Sequence, residues 1–281
     1  MTRHVRLREL LIGVEGLALL RRLYDGTDDE AEQRIGEVRR ILDDEAFARG
    51  EATGEADARA GYERWSSSYD EPGNPLIAIE QPVVWRLLES IEPGYALDLA
   101  CGTGRHAGRL VELGHRVVGV DLTPQMLRKA QLNVPQASFL EGDLRAIPLP
   151  GGELDLVVCG LALAHVADLH GAMAELARVV RPGGIAILSV LHPFLAHLGW
   201  HAPFEDEHGR RRFVREHAHD HAAYLDAFRR AGLRVRDCVE PRLGVEQLRA
   251  KRRAFRHAPE ATIAAYDGLP GALVWSVERG G

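Results

Sequence analysis

The stretch "LDLACGTGRH", Leu97 to His106, alternates small residues, Ala100, Gly102 and Gly104, directly after an apolar run. Such a turn lets the backbone approach a ligand closely, and the helix it opens offers free N–H groups. It could cradle a phosphate or hold an uncharged part of a cofactor. Asp121 ends the next apolar run, "VVGVD", where a carboxylate can accept both hydroxyls of a ribose. Asp143 follows in "LEGDLRAIPLP", placed to meet the exocyclic amine of an adenine. Taken singly, Asp98, Asp121 and Asp143 could each be strand-end or helix-N-terminus contacts of no functional weight.

Groups able to move a proton lie elsewhere. Tyr69 belongs to "YERWSSSYD" with Tyr62 and Trp65, which read equally as a packed aromatic stripe. His165 sits in "CGLALAHV", where helix packing is the commoner fate of a histidine. Seven of the 13 histidines lie between His192 and His221. His192 or His217 could orient an acceptor hydroxyl or remove its proton. His217, His219 and His221 alternate and would share one face of an extended segment. No matching cysteine or carboxylate spacing supports a metal there, and none is expected.

These residues need elements to hold them. From about residue 80 the pattern alternates: a helix in "QPVVWRLLESI", strands in "YALDLA", "HRVVGVD", "ASFLEGD", "LDLVVCGL" and "IAILSVLH", with helices between. Gly114 closes one helix and Thr123 with Pro124 opens another. This repetition predicts an α/β fold with a mostly parallel sheet covered on both faces. "HAAYLDAFRRAG" reads as a helix, "LRVRDCVEP" and "GALVWSVERG" as the last strands, and residues 245–257 as a basic helix. Before the alternation, residues 5–24 and a second segment opened by Thr27 or Asp28 show helical spacing, and "ARGEATGEADARAGYE" reads as a linker or loose helix. Residues 1–56 are therefore expected to form an N-terminal helical appendage. Residues 57–281 would form the main domain, with a lid at 60–80 and a loop-like insert at 192–223.

In order, "LDLACGTGRH", "VVGVDLTPQML", "LEGDLRAIPLP", "LDLVVCGLALAHV" and "LARVVRPGG" resemble the successive motifs of the class I S-adenosylmethionine-dependent methyltransferases. The resemblance covers roughly residues 60–240 and the closing strand. It implies a doubly wound, Rossmann-like sheet of seven strands, the last running antiparallel between its neighbours. It also implies S-adenosylmethionine as cofactor. Asp98 and the Ala100–Gly104 turn would hold the methionine portion, Asp121 the ribose, and Asp143 with Leu144 the adenine. Leu122 and Met126 would sandwich the adenine ring, and Cys101 and Cys159 would border the same site. In similar enzymes the Tyr/Asp segment is a lid, which makes Tyr69 the candidate near the activated methyl. Ala100 stands where the family often has glycine. The Asn/Asp-Pro-Pro-aromatic motif of DNA and protein-glutamine N-methyltransferases is missing after the fourth strand, which removes those substrates.

The expected reaction is methyl transfer to oxygen or nitrogen of a small-molecule acceptor, in the setting of secondary metabolism. An RNA-modifying enzyme using the basic run Arg249 to His257 is one alternative. A protein that binds the cofactor without transferring its methyl, a sensor or a cyclase, is another. The net charge of −6 argues against a nucleic-acid partner. Cys101, Cys159 and Cys238 lack CxxC spacing and suit a reducing, cytoplasmic compartment. No run of 18 apolar residues suggests a membrane span, and the apolar N-terminal helix pair leaves room for a homodimer.

Overall fold

The computed structural model describes residues 3–250 and 252–281. Lys251, inside the basic run, lies outside the described residues, as do Met1 and Thr2. In chain order the strands are β1 (Arg3–Arg6), β2 (Gly50–Ala56), β3 (Tyr95–Leu99), β4 (Arg116–Asp121), β5 (Ser138–Glu141), β6 (Leu154–Gly160), β7 (Val180–Leu191), β8 (Ala202–Glu205), β9 (Arg211–Val214), β10 (Leu233–Val239) and β11 (Ala272–Arg279). Seven of them form one sheet in the order β10-β11-β7-β6-β3-β4-β5. Strands β3 to β7 pair in parallel, and β11 runs antiparallel between β7 and β10. The expected α/β, doubly wound seven-stranded architecture is therefore present.

The central strands are buried on both faces, which explains their continuous apolar runs. Leu97, Leu99, Val157 and Leu188 join one cluster with the helices Leu169–Val179 and His221–Arg230. Ala96, Leu156, Val158 and Ile187 join another with the helices Pro75–Leu88 and Arg105–Glu112. The strand-to-helix turns at the C-terminal ends of β3, β4 and β6 then open on a common side, where ligands of such sheets bind.

Three segments depart from expectation. The polar stretch read as a linker is β2, followed by the helix Ala58–Trp65. The insert is not a plain loop: it holds a short helix, Pro193–His197, and the β8–β9 hairpin. Strands β1, β2, β9 and β8 pair into a second sheet, β2 lying parallel to β9. Backbone pairing between segments distant in sequence supplies what local composition did not signal. The basic run is divided between the helices Val245–Arg249 and Arg252–His257, after which Pro259–Tyr266 forms a further helix.

The N-terminal helix Leu7–Arg21 buries Leu11, Val14 and Ala18 in a third cluster with Leu248, Ala261 and Ala265. Burying each large aliphatic side chain contributes roughly 1.5–3 kcal/mol. Arg21 also donates to the carbonyls of Ala264, Ala265 and Asp267, satisfying the open end of the Pro259–Tyr266 helix. The second helix, Asp28–Asp43, is opened by a capping box between Thr27 and Glu30. Among the described residues no helix is long and apolar enough to cross a membrane.

Candidate functional site

A cavity of about 600 Å³ opens above the C-terminal ends of β3, β4 and β6. Its floor is the β3 turn. Ala100 and Gly102 adopt φ of +56° and +53°, and a Cβ on Gly102 would meet the Tyr69 ring at 3.7 Å. The only other non-glycine residue with positive φ among those described is Leu161 at +57°, also in the cavity wall. Strain of this kind persists where the surrounding structure fixes it, and functional sites are the usual place. Thr103 Oγ1 donates to Asp70 Oδ1 at 2.5 Å, tying the turn to the segment that carries Tyr69.

Asp121 is 8% exposed at the end of β4. Its Oδ2 accepts the Gly102 N–H and its Oδ1 the Thr123 N–H, both at 2.8 Å. Thr123 thus begins the Pro124–Asn133 helix without a side-chain cap. Burial pushes the Asp121 carboxyl up, and the backbone N–H groups offset part of that rise. Each oxygen retains a lone pair able to accept a ribose hydroxyl. Leu122, Met126 and Leu144 supply apolar wall beside it. Asp143 accepts from the Arg145 backbone and guanidinium, which hold its carboxyl below the usual range. The buried carboxylate, the side-chain-free floor and the apolar wall fit an adenosine-bearing cofactor with a small amino-acid tail.

Ala100, Gly102, Asp121, Leu122, Met126, Asp143 and Leu144 all line the cavity; Asp98, Cys101, Gly104 and Cys159 do not. Asp98 lies beneath the turn, 1% exposed, its Oδ2 accepting the Ala107 N–H at 2.7 Å. Burial pushes its carboxyl up to about 6, with His106, the Ala107 N–H and Arg105 offsetting part of the rise. Cys159 is fully buried, and burial pushes the Cys101 thiol well up. Below the floor Glu80, wholly buried, meets Arg105 at 2.9 Å and Ser189 Oγ at 2.6 Å. Burial alone would raise that carboxyl; His106, Arg105 and Ser189 together bring it down to about 2.

The opposite wall is aromatic and imidazole. Tyr62, Tyr69, His165 and His217 line it. Tyr62 stacks on Trp65 at 5.7 Å and meets Tyr69 edge-on at 6.1 Å. Tyr62 Oη lies 2.7 Å from His165 Nε2, while His165 Nδ1 lies 2.8 Å from the Arg215 carbonyl. The segment bearing His217 and His219 runs along residues 164–166: the His217 N–H donates to Ala164 O, and His219 Nε2 to Val166 O. Glu216, in the same segment, is 7% exposed and 3.7 Å from His165 Nε2. Burial pushes the Glu216 carboxyl up to about 8 and the His165 imidazole down. In the sequence Tyr62 carried only an aromatic spacing, and Glu216 gave no signal.

His192 lies apart from the cavity, and His221 turns away from His217 and His219. Both meet Glu240 Oε1, at 3.3 and 2.8 Å, in the one potential metal-ligand group among the described residues. Yet His192 Nδ1 accepts the Phe194 N–H at 3.2 Å. That leaves the proton on Nε2, which makes it a donor to Glu240 rather than a ligand. In the basic run, Arg249 pairs with Glu246 and Arg253 with Glu51.

Comparison with known proteins bears on the same region. Residues 97–188 match the family described as a methyltransferase domain. A malonyl-[acyl-carrier protein] O-methyltransferase of Serratia marcescens is 37% identical over 135 residues, 47% of this chain and 51% of that protein. A demethylmenaquinone methyltransferase of Thermus thermophilus is 37% identical over 131 residues, 43% of this chain and 60% of that protein. The chain thus spans about half the length of the first relative. An S-adenosylmethionine-dependent methyltransferase structure from Mesorhizobium loti shares the fold, with a TM-score of 0.54 at 24% identity over 70% of this chain and 96% of that one. The matched motifs form the cavity floor and the strand order is that of such a sheet, so residues 97–188 are similar to the methyltransferase-domain family and the chain has the Rossmann-like fold of class I S-adenosylmethionine-dependent methyltransferases.

Proposed function

We propose that the protein transfers the methyl group of S-adenosylmethionine to oxygen or nitrogen of a small-molecule acceptor. One observation carries this reading: the cofactor wall around Asp121 and the wall of Tyr62, Tyr69, His165 and His217 face each other across a single cavity. When bound, the cofactor supplies a methyl already activated by its sulfonium. The protein's task is then alignment and exclusion of water, and proximity accounts for most of the acceleration. Tyr69, against the Gly102 floor, orients the reacting end. Residues 1–56 and the insert act together as a roof, β2 and β9 supplying Glu55 and Val214 to the wall.

The two relatives are named for unlike acceptors, a malonyl carrier protein and demethylmenaquinone. What they share with this chain therefore supports the donor half of the reading and leaves the acceptor to the roof. The net charge of −6 and the pairing of Arg249 with Glu246 and of Arg253 with Glu51 favour a small acceptor over RNA. The three free cysteines suit a cytoplasmic setting. Calorimetric titration with S-adenosylmethionine, followed by mass-spectrometric detection of S-adenosylhomocysteine with a panel of hydroxyl and amine compounds, tests the proposal. Binding and turnover are expected. Failure to bind S-adenosylmethionine would sink it, and binding without turnover would favour a sensor.

A further inference from the structure

We infer that Tyr62 and His165 form a proton relay at the acceptor end of the cavity, and that the acceptor is an uncharged hydroxyl compound, a phenol or an enol. This rests on the proposed methyl transfer and adds the acceptor's chemical class and the route of its proton.

The relay follows from a fixed tautomer. The Arg215 carbonyl can only accept, so His165 Nδ1 carries the hydrogen in their 2.8 Å contact. Nε2 is then the bare nitrogen, and at 2.7 Å it accepts the Tyr62 hydroxyl proton. The Tyr62 oxygen keeps lone pairs for a group in the cavity that it lines. Burial keeps Tyr62 a phenol and His165 neutral, so both begin in the state a relay needs.

The acceptor class follows from what the other lining groups already do. The three arginines of the cavity wall are each committed: Arg59 to Glu141 at 2.7 Å, Arg145 to Asp143 at 2.5 Å, and Arg215 to Glu55 at 2.7 Å. No lysine lines it among the described residues. An anionic acceptor would find no uncommitted cation. On the Tyr62 side Glu55 is held by Arg215, Asp57 caps its helix at the Ala60 N–H, and Glu216 is buried with its proton retained. An ammonium would have only Asp57, one oxygen of which accepts the Ala60 N–H, to balance its charge there. A neutral hydroxyl beside the Tyr62 oxygen needs no counter-charge at all.

The step balances. The acceptor O–H proton passes to the Tyr62 oxygen as the Tyr62 proton passes to His165 Nε2. The acceptor oxygen's electron pair forms the bond to the methyl carbon, and the carbon–sulfur electron pair stays on sulfur. One positive charge leaves the sulfonium and one appears on His165, so the buried site keeps its net charge.

The test uses 4-nitrophenol, whose visible absorbance reports its own ionisation, added to the protein saturated with S-adenosylhomocysteine. Bound probe is expected to ionise at lower pH than free probe, by about one unit or tenfold in its constant. Y62F and H165Q should each abolish that shift while leaving S-adenosylhomocysteine affinity within about threefold, which also shows that the variants fold. A shift that survives in both variants, no probe binding at millimolar concentration, or tighter binding of benzoate or benzylamine than of the phenol would overturn the inference. Failure of the cofactor itself to bind would instead strike the proposed methyl transfer.

Discussion

Two aspartates on neighbouring strands carry opposite expectations. Asp121 lines the cavity with lone pairs to spare, whereas Asp98 spends its buried carboxylate on the Ala107 N–H. D121N should weaken S-adenosylmethionine binding by at least about tenfold, the loss expected when a charged hydrogen-bond acceptor is neutralised. D98N, which keeps an oxygen for Ala107, should leave binding within about threefold; calorimetry on both variants decides. Glu216 gives a pH prediction. Its folded carboxyl holds its proton up to about 8 against a reference of 4.5. The folded state is therefore favoured below pH 4.5, and that contribution is lost as pH rises through 8. E216Q removes the loss, so denaturant titrations should show the variant gaining on the wild type across this window, by up to ~5 kcal/mol. Ala100, at φ +56°, holds a left-handed backbone conformation that favours glycine. A100G should raise the melting temperature, relieving strain of roughly 1 kcal/mol against the entropy glycine adds.

At the scale of elements, β3, β4 and β6 were legible because their signal is local: each is an apolar run closed by a small residue or an aspartate. β2, "GEATGEA", carries no such signal. It is polar and half glycine and alanine, and it becomes a strand only through β1 and β9. The helix Ala58–Trp65 lies against β9 so closely that a Cβ on Gly61 would meet Val214 Cγ2 at 2.4 Å. G61V should therefore push the helix and Tyr62 away from the insert. Weakened probe binding with nearly unchanged cofactor affinity would be the result; equal loss of both would contradict this division. Overpacking of this kind costs typically ~1–3 kcal/mol, small enough for the central sheet to survive. The hairpin has its own anchor. Asp206 accepts from His208 and Arg210 backbones and from the Arg210 and Arg212 side chains, which hold its carboxyl far below its usual range.

For the whole molecule, the cofactor half of the site was readable because each wall residue sits in a motif that is contiguous in sequence. The acceptor half combines residues 55–69, 160–167 and 214–217, and no single stretch of sequence reveals that meeting. Tyr69, His165 and His217 were still recognisable as polar groups beside a pocket, whereas Glu216 acquires its character only from burial. The N-terminal segment is likewise more than an appendage: its first helix shares a cluster with Leu248, Ala261 and Ala265, and β2 borders the cavity. Removing residues 1–49 uncovers that cluster and takes away β1. Such a chain should lose several kcal/mol of stability, of the order of two or three buried aliphatic side chains, and melt well below the full protein in calorimetry. An unchanged melting temperature would contradict the shared core.

The parallel pairing of β2 with β9 has a temporal consequence. Joining chain segments so far apart demands closure of a very long loop, which the alternating strand–helix units of the central sheet do not require. The donor site can thus assemble before its roof, and the roof can open as one unit while the floor stays folded. Hydrogen exchange would register this as a single protection step shared by the amides of Gly54–Ala56 and Arg212–Val214, lower than that of β3 and β6.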